Sequence, residues 1–459
     1  MDIPTTRYDP RITRLRTFFD AVPRFCDGSD TPRAYLERCL EAIEARESSL
    51  QAFAALTVDG ARRTADAATS RYAANRPLSP IDGLPIAVKD IFETRDAPTR
   101  WGARSLAFAP WRDAAIVRAL RVGGAALVGK TRLPELGMGS PAATVNPWAP
   151  GRSPGGSSSC SAASVGAAML PCAIGTQGRG SLTRPASYCG VYGFKPSHGT
   201  IHRGGDGGGQ ETNTHIGTLA GSLADAWLVA RFLSGEAGPH PGSFGLEGPA
   251  LLPAAIKPRR LVRLEGPGWA KSDGGVKAAY EDLVAAIART GIPVVGAASL
   301  PETAALESAL DEAGKALADI ADYESRWPLV MYLQEDTGRE NFTSRAFESG
   351  LRRADISRDA YHRALRVRAE YQKKLLACCD DGIVFASPAA TDTAPAPTST
   401  GSSIYQLASS LAGNLVVSLP LMAVEGLPLS LQLQGFSGAD ALLMAHARWL
   451  DEAFSDGLI

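Results

Sequence analysis

Apolar positions along this chain alternate between a helical period and short unbroken runs. Leu36, Leu40 and Ile43 recur at helical spacing after Thr31-Pro32, an N-cap threonine followed by a proline at the first helical position. A second helix is predicted over about 60–74. Leu84-Pro-Ile-Ala-Val88 then reads as a short apolar strand that ends on Lys89. Residues 113–139 read as helix, strand and loop. Downstream the pattern predicts helix over 222–233, strand over 260–262, helix over 275–290 and strand over 294–295. Residues 302–380 are largely helical in pattern and carry most of the charge runs. A buried-type strand at 382–386 precedes a Pro/Thr/Ser loop, 387–403. Strands at 416–419 and 429–434 and a helix over 440–454 close the chain. This alternation predicts the α/β class.

Two stretches depart from the pattern. Residues 1–30 are polar and irregular and read as an arm. Residues 140–215 are dense in Gly and Ser with little amphipathic order. No fixed-period repeat or low-complexity linker divides the chain. The expected organisation is therefore an N-terminal arm, 1–29, and a single domain, 30–459.

Composition narrows the classes of function. With 45% hydrophobic and 21% charged residues, the 459-residue chain has ample material for a core. A formal net charge of −1 gives no general drive toward nucleic acid or an anionic membrane, so neither is expected as a partner. The longest apolar stretch, 411–433, is broken by Pro420, Glu425 and Pro428, short of the ~20 residues that span a bilayer. Met1–Pro10 has no apolar signal core. Seven cysteines without a Cys-x-x-Cys pair read as reduced, mostly buried thiols. A soluble, cytoplasmic protein is expected.

Three segments could carry chemistry. Gly124-Ala-Ala-Leu-Val-Gly129-Lys130-Thr131 fits the phosphate-loop pattern letter for letter. That loop needs open backbone aimed at phosphate, whereas Ala-Ala-Leu-Val favours a buried strand, and the preceding 114–122 is helix-like. Nucleotide binding is therefore rejected. Gly155-Gly156-Ser157-Ser158-Ser159 feeds a small-residue helix, 161–169, which would make either an anion site or a plain loop. In Gly175–Pro185, glycines flank Ser181, and a serine in such a turn can lie among several backbone N–H groups. A serine nucleophile needs a base. The six histidines (198, 202, 215, 240, 362 and 446) form no metal or triad motif, and neither Ser157 nor Ser181 sits in G-x-S-x-G. A lysine neutralised by burial is the alternative base, and Lys89 ends an apolar strand. A lysine at a strand end is also compatible with a snorkelled surface position.

The three segments together resemble the amidase signature family. "GLPIAVKD" at 83–90 is similar to its lysine strand, "SPGGSSSCSAASVGA" at 153–167 to its Gly/Ser-rich stretch, and "IGTQGRGSLTRPASYCGVYGFKPSHG" at 174–199 to its nucleophile segment. Weaker similarity at 34–53, 123–139 and 426–443 extends the match over about 30–455. The resemblance implies an α/β/α layered fold around a mixed sheet. It also implies an amidase that hydrolyses a linear carboxylic amide through a seryl acyl-enzyme. Lys89 would be the base and Ser181 the nucleophile. Ser157, 24 residues before Ser181, would relay the proton from a cis peptide. The backbone N–H groups of Gly178, Arg179, Gly180 and Ser181 would form the oxyanion hole.

No metal or organic cofactor is implied, and the expected partners are a small-molecule amide substrate and a second copy of the chain in a homodimer. The acyl pocket would draw on Leu136–Ser140, Asp319–Tyr332 and Thr398–Leu407, with Met138, Arg179, Glu324 and Trp327 as substrate contacts. The chain departs from the family pattern at the nucleophile loop. Gln177-Gly178-Arg179-Gly180-Ser181 replaces Asp-Thr-Gly-Gly-Ser, Arg184 stands one place later than usual, and Cys160 replaces a glycine. Gln177 and Arg184 are expected to compensate one another. Arg179 is expected to face the pocket, favouring anionic or polar substrates, or else to pair with an acid such as Glu324. The rival readings are the ammonia-releasing component of a tRNA-dependent amidotransferase and a catalytically silent binding relative.

Overall fold

The computed structural model describes residues 7–103, 109–138, 140–207, 209–327, 355–380 and 382–459, with isolated positions between 340 and 353. Eleven strands form one mixed sheet: β1 (Phe53–Leu56), β2 (Pro85–Lys89), β3 (Ala126–Thr131), β4 (Cys172–Gln177), β5 (Tyr192–Lys195), β6 (His215–Ala220), β7 (Arg260–Arg263), β8 (Val294–Gly296), β9 (Ile383–Pro388), β10 (Val416–Val424) and β11 (Leu427–Gln434). Their order is β1-β3-β2-β4-β6-β5-β10-β11-β9-β7-β8. β2 runs parallel to both β3 and β4, while β4 is antiparallel to β6. β7 is parallel to β8 and β9.

The layers follow from strand alternation. On β7, Leu261 joins the larger core and Val262 a second one, and on β9 Val384 and Phe385 divide in the same way. Successive strand side chains point to opposite faces, so helices cover both sides of the sheet. The second cluster is built with Leu317 and Ile320 from the helix Leu310–Glu324 and with Tyr371 and Leu375 from the helix Arg358–Ala377. The fold is thus a layered α/β architecture around a mixed sheet.

Local chemistry explains the element ends. Thr31 Oγ1 accepts from the Ala34 N–H at 3.1 Å and starts the helix Pro32–Leu50; such a cap contributes about 1 kcal/mol. Ser222 caps Leu223–Ala237 in the same way. Residues 126–131 of the phosphate-loop match form the fully buried β3, with their backbone in the sheet ladder. Lys130 pairs with Asp90 at 2.7 Å inside the protein, which leaves it no role at an open anion site.

Two expectations change. Strand β10 runs on through Pro420 to Val424, because a register irregularity between Leu419 and Met422 accommodates a residue that cannot donate to the ladder. It then turns through Glu425-Gly426, both at positive φ, into β11. The N-terminal segment, expected to be irregular, contains the helix Val22–Asp27. Phe18 and Phe25 are buried, with the Phe25 ring 5.5 Å from that of Tyr72. The Asp225 carboxylate accepts from the Phe18 and Phe19 N–H groups at 2.9 and 2.8 Å and fastens this segment to the body. Among the described residues, no helix is long and apolar enough to cross a membrane.

Candidate active site

Three adjacent features meet at the end of β2. β2 lies between β3 and β4 and is wholly buried, so its last residue, Lys89, leaves the sheet inside the protein and is 2% exposed. Its Nζ lies 2.6 Å from Ser157 Oγ and 2.9 Å from Thr176 Oγ1. Both partners are neutral hydroxyls. Burial therefore dominates and pulls the Lys89 amine down to about 7, while Cys160 and Asp206 act in the opposite direction. At that value a substantial share of the amine is neutral near neutral pH and can accept a proton.

Ser157 follows a cis peptide bond from Gly156. Ser158, next in the chain, stitches the Gly/Ser stretch to its neighbours. Its N–H donates to the Ser181 carbonyl at 2.9 Å, its hydroxyl donates to the Thr176 carbonyl at 3.0 Å, and its Oγ accepts from the Thr176 N–H at 3.1 Å. The helix Ser159–Gly166 starts directly behind it and is buried throughout, which its small side chains allow.

Residues 178–182, which include Ser181, span the gap between β4 and the helix Thr183–Cys189. Gln177 closes that gap. Its Oε1 accepts from the N–H groups of Leu182 and Thr183, both at 3.1 Å, so it caps the helix across the loop. Between these anchors the N–H groups of Gly178, Arg179, Gly180 and Ser181 donate to no protein acceptor among the described residues. Four consecutive free donors at a cavity wall suit a developing oxyanion. A Cβ on Gly180 would come within 2.8 Å of Ser403 Cβ, so a side chain there would displace its neighbour.

Arg184 is buried and donates to the Gly401 and Gly156 carbonyls at 2.8 and 2.6 Å, the second being the carbonyl of the peptide that leads into Ser157. The expected compensation between Gln177 and Arg184 is thus not a contact between them. Gln177 bridges the loop that carries Ser181, and Arg184 holds the Gly/Ser stretch.

A cavity of about 350 Å³ brings together Lys89, Ser157 and Ser181 with the wall residues Met138, Trp101 and Thr400. The pocket segments expected from the sequence contribute Leu136–Met138, Ala321, Ser325, Thr400, Gly401 and Ser403; positions 139 and 328–332 lie outside the described residues. Arg179 lines the cavity with its side chain 42% exposed, and its acidic neighbour is Asp322 at 3.9 Å rather than Glu324. Asp322 lies closer to Arg353, at 3.2 Å. Glu324 and Trp327 are not in the cavity wall. The Glu324 carboxylate accepts from the Thr212 N–H at 2.9 Å and the Tyr361 hydroxyl at 3.0 Å, and Trp327 is 69% exposed. Ala321 and Ser325, four residues apart, face the cavity, whereas packing against Thr212 and Tyr361 takes up Glu324, and Trp327 lies past the end of the helix Leu310–Glu324. Sequence reasoning missed Thr176 and Ser158, although both lie inside the quoted motifs.

A family model described as Amidase matches residues 34–444. The A-type component of a glutamyl-tRNA(Gln) amidotransferase from Chloroflexus aurantiacus is 40% identical over 216 residues, which are 46% of this chain and 44% of that protein. The chain thus aligns with less than half the length of that curated relative. A solved structure described as an amidase superposes with a TM-score of 0.82 at 26% identity, covering 95% of this chain and 98% of the other. A 6-aminohexanoate cyclic dimer hydrolase, solved with its substrate, shares the fold with a TM-score of 0.82 at 22% identity, covering 96% and 97%.

Proposed function

The chain belongs to the amidase family, and from that premise we propose that it hydrolyses a small carboxylic amide to a carboxylate and ammonia or an amine. The observation that carries the proposal is the 2.6 Å contact between buried Lys89 and Ser157 in a cavity that also holds Ser181. Neutral Lys89 takes the Ser157 proton as Ser157 takes that of Ser181. Ser181 then attacks the amide carbonyl, and the free N–H groups of residues 178–181 hold the oxyanion. Ser157 returns a proton to the departing nitrogen. Water hydrolyses the acyl-enzyme by the same relay run again.

A turnover screen over aliphatic amides, aryl amides, hydrazides and amino-acid amides tests this reading, run in parallel with a fluorophosphonate probe. Expected are release of ammonia or amine from at least one class, and loss of that activity in step with a covalent label on Ser181. A protein that neither turns over an amide nor labels at Ser181 would be the silent binding relative instead.

The similarity to glutamyl-tRNA(Gln) amidotransferase components supports a second reading, in which the same hydrolysis delivers ammonia to a partner polypeptide. Co-purification of the native protein with a second polypeptide would favour it, and full activity of the isolated chain would count against it.

Arg179 bears on the substrate. Its guanidinium shares Asp322 with Arg353 and makes no closer ion pair among the described residues. A substrate carboxylate could take a charge-assisted bidentate contact there, worth ~1.5–3 kcal/mol or roughly 10- to 150-fold in relative rate. Arg179→Gly should lower kcat/KM for amides bearing a carboxylate by that factor and leave matched neutral amides nearly unchanged. Equal effects on both sets would remove Arg179 from substrate selection.

A further inference from the structure

The segment Gly178–Ser181 has few anchors of its own. Two of its residues are glycines, and the Arg179 side chain reaches partly into solvent. Its shape must come from bonds made to its backbone. Gln177 bridges its two ends, and Ser158 holds the Ser181 carbonyl. The remaining anchor comes from the far end of the chain. Ser410, on the helix Leu407–Ala412, donates its hydroxyl to the Arg179 carbonyl at 2.7 Å. The same Oγ accepts from Gln177 Nε2 at 3.2 Å, which aims the hydroxyl proton at the carbonyl.

The consequence follows from the planar peptide. In a trans unit C=O and N–H point to opposite sides. A bond that draws the Arg179 carbonyl toward Ser410 turns the Gly180 N–H away from that helix. Gly180 lines the cavity, and its N–H has no protein acceptor among the described residues. Ser410 is fully buried and does not line the cavity, so it touches neither substrate nor nucleophile.

We propose that Ser410 is a positioning residue for the oxyanion hole: it fixes the plane of the Arg179–Gly180 peptide so that the Gly180 N–H meets the charge developing on the substrate carbonyl oxygen. The proposal rests on the acyl-enzyme reading given above. A donor held in advance favours the transition state over the bound amide, so its loss falls on kcat rather than KM.

The test compares full-length wild type with Ser410→Ala and Ser410→Thr. Four quantities are read: kcat and KM on the best amide, the rate of Ser181 phosphonylation, and Tm. In Ser410→Ala, kcat should fall about 10- to 100-fold with KM within about threefold, and phosphonylation should slow in proportion. Ser410→Thr, which keeps the hydroxyl, should recover most of both rates at similar Tm. Should Ser410→Ala unfold, Ser410→Cys carries the same test, since a thiol is a much weaker donor of similar shape. Wild-type phosphonylation and kcat in the variant lacking the hydroxyl would overturn the proposal, as would a loss that Ser410→Thr does not restore or one confined to KM. Failure of the acyl-enzyme reading has a different signature, because wild type itself would then leave Ser181 unlabelled.

Discussion

Lys89→Ala should cut amide turnover by about 10²–10⁴-fold or more while the protein stays folded, because it removes the amine that stands in contact with Ser157 and can take its proton. The lysine is 2% exposed and faces two hydroxyls, with no carboxylate in contact among the described residues. Its burial thus stabilises the neutral amine, the form a base requires. Two further substitutions separate charge from shape. Lys89→Met keeps much of the volume and should be as inactive as alanine. Lys89→Arg should be nearly as inactive, since a guanidinium stays protonated and offers only donors. The sign of the pH dependence follows directly. Below about 7 the amine is protonated and cannot accept, so kcat/KM should fall by about tenfold per pH unit, and above about 7 it should level off. The measurement is a pH–rate profile of wild type alongside circular dichroism of the variants. Folded Lys89→Ala with wild-type turnover would sink the assignment of the base.

How far this arrangement can be read in the sequence depends on the range of the contacts involved. The strand that carries Lys89 is legible because five consecutive buried residues, Pro85–Lys89, form an apolar run with a charge at its end. The Gly/Ser stretch and the segment around Ser181 are legible as motifs because their candidate site residues sit within a few positions of each other. The helix starts at Pro32 and Leu223 are legible because capping is local. Ser410 is not legible: its partner Arg179 is 231 residues away, and nothing in Leu-Ala-Ser-Ser-Leu-Ala marks one serine over the other. The same limit applies to Asp225, which reaches back 207 residues to Phe18 and so fastens a segment whose own pattern is too sparse to predict order. The acids around Arg179 fail for a related reason. Sequence spacing places Asp322 and Glu324 on one helix, but only packing decides that Thr212 and Tyr361 take Glu324 and leave Asp322 near the loop. At Pro420 a correct local rule meets a tertiary exception, since the bulge lets β10 continue past a residue that normally ends a strand.

Ser181→Ala and Ser157→Ala should separate by kind as well as by degree. Ser181 would supply the atom that bonds to the substrate carbon, and no neighbouring group can take its place. Its loss should abolish the acyl-enzyme and bring turnover down to what binding and the oxyanion donors alone sustain. Ser157 would supply a hydroxyl that hands protons between Ser181 and Lys89. A water molecule admitted by the smaller side chain could bridge part of that gap, because the cavity is open enough, at about 350 Å³, to hold one. Ser157→Ala should therefore keep a measurable rate and still form an adduct on Ser181, more slowly. It should also alter the pH profile, since the Lys89 amine loses its 2.6 Å partner. The decisive measurement is mass spectrometry of protein quenched during turnover or after fluorophosphonate treatment, with the modified peptide sequenced. An adduct on Ser181 in wild type and in Ser157→Ala, and none in Ser181→Ala, supports the roles as assigned. An adduct on Ser157 in the Ser181→Ala protein at the wild-type rate would exchange them, with Ser157 as nucleophile directly on the lysine and Ser181 left to hold the loop through its carbonyl bond from the Ser158 N–H.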